Sequence, residues 1–396
     1  MQITYVAPNR SHHYAYALAL QRAGCLRRFV CGFSRLSSRA GLPELGDKLL
    51  RADQLQTLFL ASLRLGLPSA VSEELFSLSK QWLDFCATRD ALRSDLFFFY
   101  NGAGLRTLAA LKLTPVRGVV EAVNSHVLVQ QQILREEHER LRLPLRGFHR
   151  NEVARRVAEY EMADGIVCPS SFARQSFIDQ GMPAERVRVV SFGVTQVSGS
   201  GKVERARDSF RVLFVGQLNI RKGVRYLLQA FEKLKHPKKE LWLVGPRTEQ
   251  SGIDDIPLPE GTRFLGILKG AELEHAYRSS HVFVLPTIEE GQALVIGEAL
   301  GYGLPVIATA NSGASDLFTD GSAGFIVPIR SPGAIAEKLQ RLADDRPLLE
   351  EMSARTRAGA GGLRSWEEAG QNLVEALQQL AHLPKRALNS LPRVQG

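Results

Sequence analysis

Apolar and polar positions follow two rhythms along this chain. Short apolar runs recur at Ile3–Ala7 (ITYVA), 29–32, Leu96–Tyr100 (LFFFY), 116–122, 163–169 and 187–192. Between them lie stretches with apolar residues at helical spacing: Tyr14, Ala17, Leu18 and Gln21 share one face before Gly24, and Val127–Arg140 reads as a long charged helix. Residues 41–92 read as helical, with breaks at 66–68. After 195–209 (TQVSGSGKVERARDS), which lacks any apolar period, the alternation starts afresh. Apolar runs follow at 211–216, 241–245, Thr262–Gly266, 282–286, 305–308 and 324–328. A helix carries Leu227, Phe231 and Leu234, and another starts at Ser331–Pro332 and carries Ile335, Leu339 and Leu342. Strands alternating with helices predict parallel sheets covered on both faces.

The pattern predicts two α/β units: residues 1–194, a linker 195–209, a second unit 210–365, and a C-terminal helix with a loose tail over 366–396. A chain of 396 residues exceeds what one core usually serves. Ligands in such sheets bind outside the carboxyl ends of the strands.

One segment carries chemistry on its own terms. In EGQALVIGEALGYGLPVIA (290–308), Glu290 and Glu298 stand a little over two helical turns apart. One precedes a helix and the other lies inside it, so both can face a single ligand. The small stretch 291–293, beginning at Gly291, lets backbone N–H groups approach that ligand, and a helix N-terminus favours anions. Carboxylates for hydroxyls beside an amide cradle for phosphate suit a nucleotide sugar.

Several blocks then carry a family resemblance: VGQLNIRKG (215–223), LVGP (243–246), TRFLG (Thr262–Gly266), LPTIEEGQALVIGEALGYGLPVIAT (285–309), NSG (311–313) and DGSAGFIVP (320–328). In this order they resemble the donor-binding half of the retaining glycosyltransferases of family 4. Residues 159–194 resemble the segment leading into that family's linker, while 1–158 match only loosely. The resemblance implies the GT-B fold, two doubly wound Rossmann-like domains facing across a cleft. It implies transfer of a sugar from a UDP- or GDP-type donor to a hydroxyl of a glycan or lipid-linked acceptor. Under it, Glu298 holds the ribose hydroxyls, Glu290 lies against the transferred sugar, and Lys222 meets the diphosphate. The amides of Ala293 and Leu294 complete the phosphate cradle. Gln217 stands where the family has arginine, and Arg221 supplies the missing charge. His126 corresponds to a histidine near the reacting sugar, or is a capping, packed histidine. Phe264 lies where the backbone meets the base, or is a core aromatic. His12 and His13, in the first strand-to-helix loop, are acceptor-site residues or a surface pair at a helix start. The first loop, 8–13, lacks the glycine pair the family often has there. The resemblance leaves two further readings, a nucleotide-sugar 2-epimerase and a non-catalytic nucleotide-sugar-binding partner of another enzyme.

Composition narrows the rest. The chain has no Asp-x-Asp, so no metal ion and no cofactor is expected. Residues 1–200 hold 25 basic against 18 acidic side chains and 201–396 hold 25 against 23, so the first half is the basic one. That is either a solvated surface or an attraction to an anionic membrane face or acidic acceptor. A basic run with interleaved aromatics is absent, which argues against nucleic acid. Four cysteines without metal spacing, and a start that moves straight into a strand, predict a cytoplasmic protein with reduced thiols. The stretch 55–67 (LQTLFLASLRLGL) is too short to span a bilayer. It is either a buried core helix or a patch that docks on the inner face of a membrane.

Overall fold

The computed structural model describes residues 1–37, 43–145, 147–194, 205–206, 208–248, 250–358 and 363–386. Most of the expected linker lies outside the described residues, as does the tail from 387 onward.

Two parallel sheets form. The first contains β1 (Ile3–Ala7), β2 (Leu26–Cys31), β3 (Leu49–Arg51), β4 (Leu96–Tyr100), β5 (Arg117–Glu121), β6 (Gly165–Cys168) and β7 (Val187–Val189). Its order is β3-β2-β1-β4-β5-β6-β7. The second contains β8 (Phe210–Val215), β9 (Lys239–Val244), β10 (Thr262–Gly266), β11 (Val282–Leu285), β12 (Val306–Thr309) and β13 (Gly324–Val327), in the order β10-β9-β8-β11-β12-β13. Strands such as LFFFY and VFVL are buried on both faces, which is why they read as unbroken apolar runs. Two cores cover the faces of the first sheet and a third fills the second unit. The strand order reverses between β1 and β4 in the first sheet and between β8 and β11 in the second. These switch points are where such sheets open a crevice. The arrangement is the GT-B fold.

Three expectations are corrected. Residues 49–51, expected to be helical, form the edge strand β3 beside β2, because Leu49 and Leu50 pair with Phe29 and Val30. The run at 187–192 is a strand only over Val187–Val189. The tail is tied down as far as Arg386: Lys385 Nζ donates to the carbonyls of Leu111, Thr114 and Val116, and the Arg386 amide donates to Asp164.

The C-terminal helix Trp366–His382 starts from a capping box, Ser365 with Glu368. It packs onto helix α1 (His13–Arg22) of the first unit, burying Leu373, Leu377 and Leu380 in one core with Ile3, Tyr16 and Leu20. The chain thus returns to its first half after completing the second. Leu377→Ala should therefore cost about 2–5 kcal/mol. Hydrogen exchange should show protection falling in β1 and α1 while β8 to β13 keep theirs; equal loss in the second sheet would contradict this packing.

Candidate functional site

A cleft of about 280 Å³ lies at the carboxyl ends of both sheets. The first unit lines it from the loop after β1 (Asn9, Ser11, His12, His13), from Tyr100 at the end of β4, and from Val123, Asn124 and Phe192. The second unit contributes Lys222 from the turn after β8, and Glu290 and 292–295 from the segment after β11.

The turn after β8 is set locally. The Asn219 side chain accepts from the Lys222 amide at 2.9 Å, closing a short 3₁₀ turn over Ile220–Lys222. Gly223 follows in the left-handed region (φ 66°), and a Cβ there would lie 2.0 Å from the Pro286 carbonyl oxygen. The turn therefore docks against the end of β11 and carries Lys222 to Glu290. Lys222 Nζ donates to Glu290 Oε2, and Arg221 lies 3.1 Å from the same oxygen. Burial alone would raise the Glu290 pKa, but these two cations outweigh it and hold the carboxyl below its ordinary value.

Its neighbour Glu289 is fully buried where the units meet. It accepts from the Ser125 amide at 3.2 Å, Ser125 Oγ at 2.7 Å and Gln130 Nε2 at 2.8 Å, all from the first unit. Gly291 comes so close to the first unit that a Cβ would lie 1.9 Å from the Val123 carbonyl oxygen. Gln292 Oε1 accepts from the Phe192 amide at 2.6 Å. Helix Leu294–Gly301 then begins at Ala293 without a side-chain cap, and its first residues face the cleft.

The opposite wall is built around Glu121, at the end of β5. His12 Nε2 lies 2.7 Å from its Oε1, His13 Nδ1 lies 3.1 Å from its Oε2, and the Tyr5 hydroxyl donates to Oε2 at 2.7 Å. Burial works against the Glu121 charge, yet His13 and His12 keep its pKa well below the ordinary range. Burial and the neighbouring His13 push His12 down to about 4. The ligand-type atoms of His12, His13 and Glu121 lie within 4.8 Å of one another, a spacing a metal ion could use. In this structure they bond to one another and to Tyr5.

Of the residues singled out from sequence, His12, His13, Lys222, Glu290, Ala293 and Leu294 line one cleft. Gly291 lies at the contact between units and Arg221 stands beside Glu290. The Ala293 amide, expected in the phosphate cradle, donates to the Ser312 carbonyl at 3.2 Å instead. Gln217 is exposed and accepts from Asn219, outside the lining. Glu298 lies farther along its helix, where Oε2 accepts from the Tyr277 hydroxyl at 2.8 Å; it does not share the Glu290 cleft. Phe264 is 40% exposed on edge strand β10, so it is not a core aromatic, and it does not line the cleft.

His126, expected near the reacting sugar or as a capping, packed histidine, stands outside the cleft lining. It caps helix Val127–Arg140, accepting from the Leu128 amide at 3.3 Å, and its ring packs on Tyr160 and Phe177. It borders a separate cavity with those two rings. Sequence reasoning also missed Glu121, Glu289 and Gln292. A signal existed for Glu121, a carboxylate closing the apolar run of β5 at its carboxyl end.

Residues 200–359 match the model of glycosyl transferases group 1, so the second half carries a domain of that family. A D-inositol 3-phosphate glycosyltransferase of Corynebacterium urealyticum is 26% identical over 267 residues, 60% of this chain and 63% of that protein. The chain thus spans less than two thirds of that relative's length. Among solved structures, a sucrose-phosphate synthase from Thermosynechococcus elongatus superposes with a TM-score of 0.68 at 18% identity, over 96% of this chain and 99% of its own. HepE of Anabaena, solved in complex with UDP-glucose, superposes with a TM-score of 0.62 at 17% identity, over 96% and 99%. At these identities the superpositions establish the fold.

Burial lowers the pKa of His126 from 6.5 to about 4, and that of His281 likewise to about 4. The unfolded chain binds protons near pH 6.5 that the native state refuses until about pH 4. Stability should therefore fall as pH drops through that window. Urea midpoints measured from about pH 7 to pH 4 should show this slope, and His126→Gln should flatten part of it.

Proposed function

We propose that this chain is a retaining, metal-independent glycosyltransferase of the family 4 type. It takes a sugar from a nucleoside diphosphate donor to a hydroxyl of a glycan or lipid-linked acceptor, in glycoconjugate synthesis at the cytoplasmic side of a membrane. One observation carries the reading. Lys222, Glu290 and an uncapped helix N-terminus share a cleft, at the strand ends of both sheets, with His12 and His13 on the facing wall. The group 1 domain and the UDP-glucose complex of the Anabaena neighbour support a nucleotide-sugar donor of the UDP type.

In this reading the donor's diphosphate lies at the amino end of helix Leu294–Gly301. Lys222 exchanges its carboxylate partner Glu290 for phosphate oxygens, and Arg221 adds the charge that Gln217 does not supply. Glu290, freed of Lys222, accepts from hydroxyls of the transferred sugar, and Glu298, farther along the helix beyond that cleft and held by Tyr277, accepts with its other oxygen from a ribose that extends along the helix. As the bond from the anomeric carbon to the diphosphate oxygen lengthens, negative charge grows on the leaving group. Fixed cations and helix N–H groups aimed there lower the barrier. The acceptor hydroxyl attacks the same face of the sugar, and its proton passes to the departing phosphate oxygen. Glu121 holds His12 through Nε2, so that Nδ1, now 3.5 Å from Ser11 Oγ, can accept from an acceptor hydroxyl in its place.

Thermal shift with UDP, GDP and ADP tests donor binding, because a ligand of the native state raises the melting temperature by mass action. One nucleotide should stabilise the protein, and Glu298→Ala and Lys222→Ala should abolish its effect. Lys222→Ala should also lower kcat by roughly 10²–10³-fold. No shift with any nucleotide would sink the reading, and sugar release without an acceptor product would favour an epimerase. EDTA should leave turnover intact; loss restored by Mn²⁺ or Mg²⁺ would contradict metal independence.

A further inference from the structure

In the hairpin of α2 (Gln54–Arg64) and α3 (Ser69–Ala91), α2 is built with its polarity reversed, while α3 farther along buries Leu83, Ala87 and Ala91 in the core of the first unit. The buried side chains of α2 are Gln56 and Ser62. They are held by polar partners on α3: Ser79 Oγ donates to Gln56 Oε1 at 2.9 Å, and Ser62 Oγ bonds Ser72 Oγ at 2.9 Å. The leucines face outward instead, with Leu58 54%, Leu63 55%, Leu65 74% and Leu67 43% exposed. The stretch 55–67 is therefore not a core helix. A helix normally buries its apolar stripe, so this one is shaped for an apolar environment other than its own core.

One face of the hairpin lines a groove of about 770 Å³, within the range of small-molecule sites. Phe59, Leu63, Leu67 and Phe76 form one wall, and Leu134 and Ile220 close it from the other elements. Phe59 and Phe76 pack ring to ring at 5.0 Å, and Ser79 and Gln56 fix the two helices behind them. Asn219 and Arg221, from the turn that carries Lys222, also line the groove. Arg221 lies 3.1 Å from Glu290, which lines the donor cleft. A groove with an apolar wall, and with Glu73, His138, Thr248 and Gln250 also in its lining, thus lies beside the charged groups of the second unit.

We propose that this groove holds the hydrocarbon chain of an amphiphilic acceptor whose polar head enters the cleft beyond Arg221. The assignment rests on the transferase reading and names its acceptor class, a hydroxylated head on a lipid tail. A soluble glycan could bond Glu73, His138 or Gln250 at the edges, but it would gain nothing from the wall of Phe59, Leu63, Leu67 and Phe76. A chain of methylenes gains with every carbon placed against them.

The test uses the full-length protein and n-alkyl β-D-glucosides of eight, ten and twelve carbons, below their micellar concentrations, titrated by calorimetry. Affinity should rise with chain length, up to about fourfold for each methylene that is fully buried. Leu63→Asn with Leu67→Asn, both surface positions, should remove the dependence on chain length. Leu58→Asn with Leu65→Asn, outside the groove, should keep it. Stabilisation by the nucleotide should be unchanged in both variants and reports their folding. Affinity independent of chain length, or lost equally in both variants, would overturn the groove. So would a stable dimer through the hairpin that the glucosides cannot dissociate. Binding only to phosphatidylglycerol vesicles, with no affinity for monomeric glucosides, would overturn it in favour of a membrane-docking face. Chain-length dependence without any nucleotide effect would leave the groove standing and remove the transferase reading; the reverse result would do the opposite.

Discussion

Two adjacent carboxylates sit where the two units touch, and both are largely withdrawn from water. A charge in that position is costly unless it is met by opposite charge and hydrogen bonds. Glu289 is met from across the contact, by Ser125 and Gln130 of the first unit. Glu290 is met from its own unit, by Arg221 and Lys222. The same two residues thus tie the halves together and gather positive charge at the mouth of a helix. Gly291, the next residue, lets the Val123 carbonyl approach. Removing Ser125 Oγ or Gln130 would leave a buried carboxyl oxygen of Glu289 without its donor, a loss of roughly 1–3 kcal/mol.

The facing wall repeats the solution with different chemistry. Glu121 is also a buried carboxylate at the carboxyl end of a strand, and there His12, His13 and Tyr5 surround it. Each unit therefore places satisfied carboxylates at the carboxyl end of its sheet, Glu121 closing β5 in the first and Glu289 and Glu290 following β11 in the second. The cleft between them has a cationic side, with a helix N-terminus, and a histidine side. That asymmetry suits a reaction in which one substrate leaves as an anion and the other arrives as a hydroxyl. The reversed helix α2 extends the histidine-bearing unit with an apolar surface.

Much of the fold was legible because its signals are local. ITYVA, LFFFY and RVLFV announce strands, and Val127–Arg140 announces a helix, because burial and period are written over a few consecutive residues. Glu290 and Lys222 were legible too, since the blocks around them are distinctive. The reversed helix α2 was not. Leucines in LQTLFLASLRLGL look like core until Gln56 and Ser62 are seen holding α3 from the inside. Strand β3 was equally hidden, because three residues become a strand only when Phe29 and Val30 stand beside them.

The sequence by itself determined the alternation of strands and helices, the restart after residue 209, and the glutamate-bearing helix start with its lysine turn. Each of these depends on neighbours in the chain. Tertiary structure alone decided that Glu121 meets His12 across 109 positions and that Glu289 meets Ser125 across 164. It also decided that His126 caps a helix against Tyr160 and Phe177, away from the cleft, and that the last helix returns to the first unit. Such pairings are set by which charges and apolar faces must be covered once the sheets have formed. No local pattern records that choice, because the energy that fixes it comes from excluding water between distant segments.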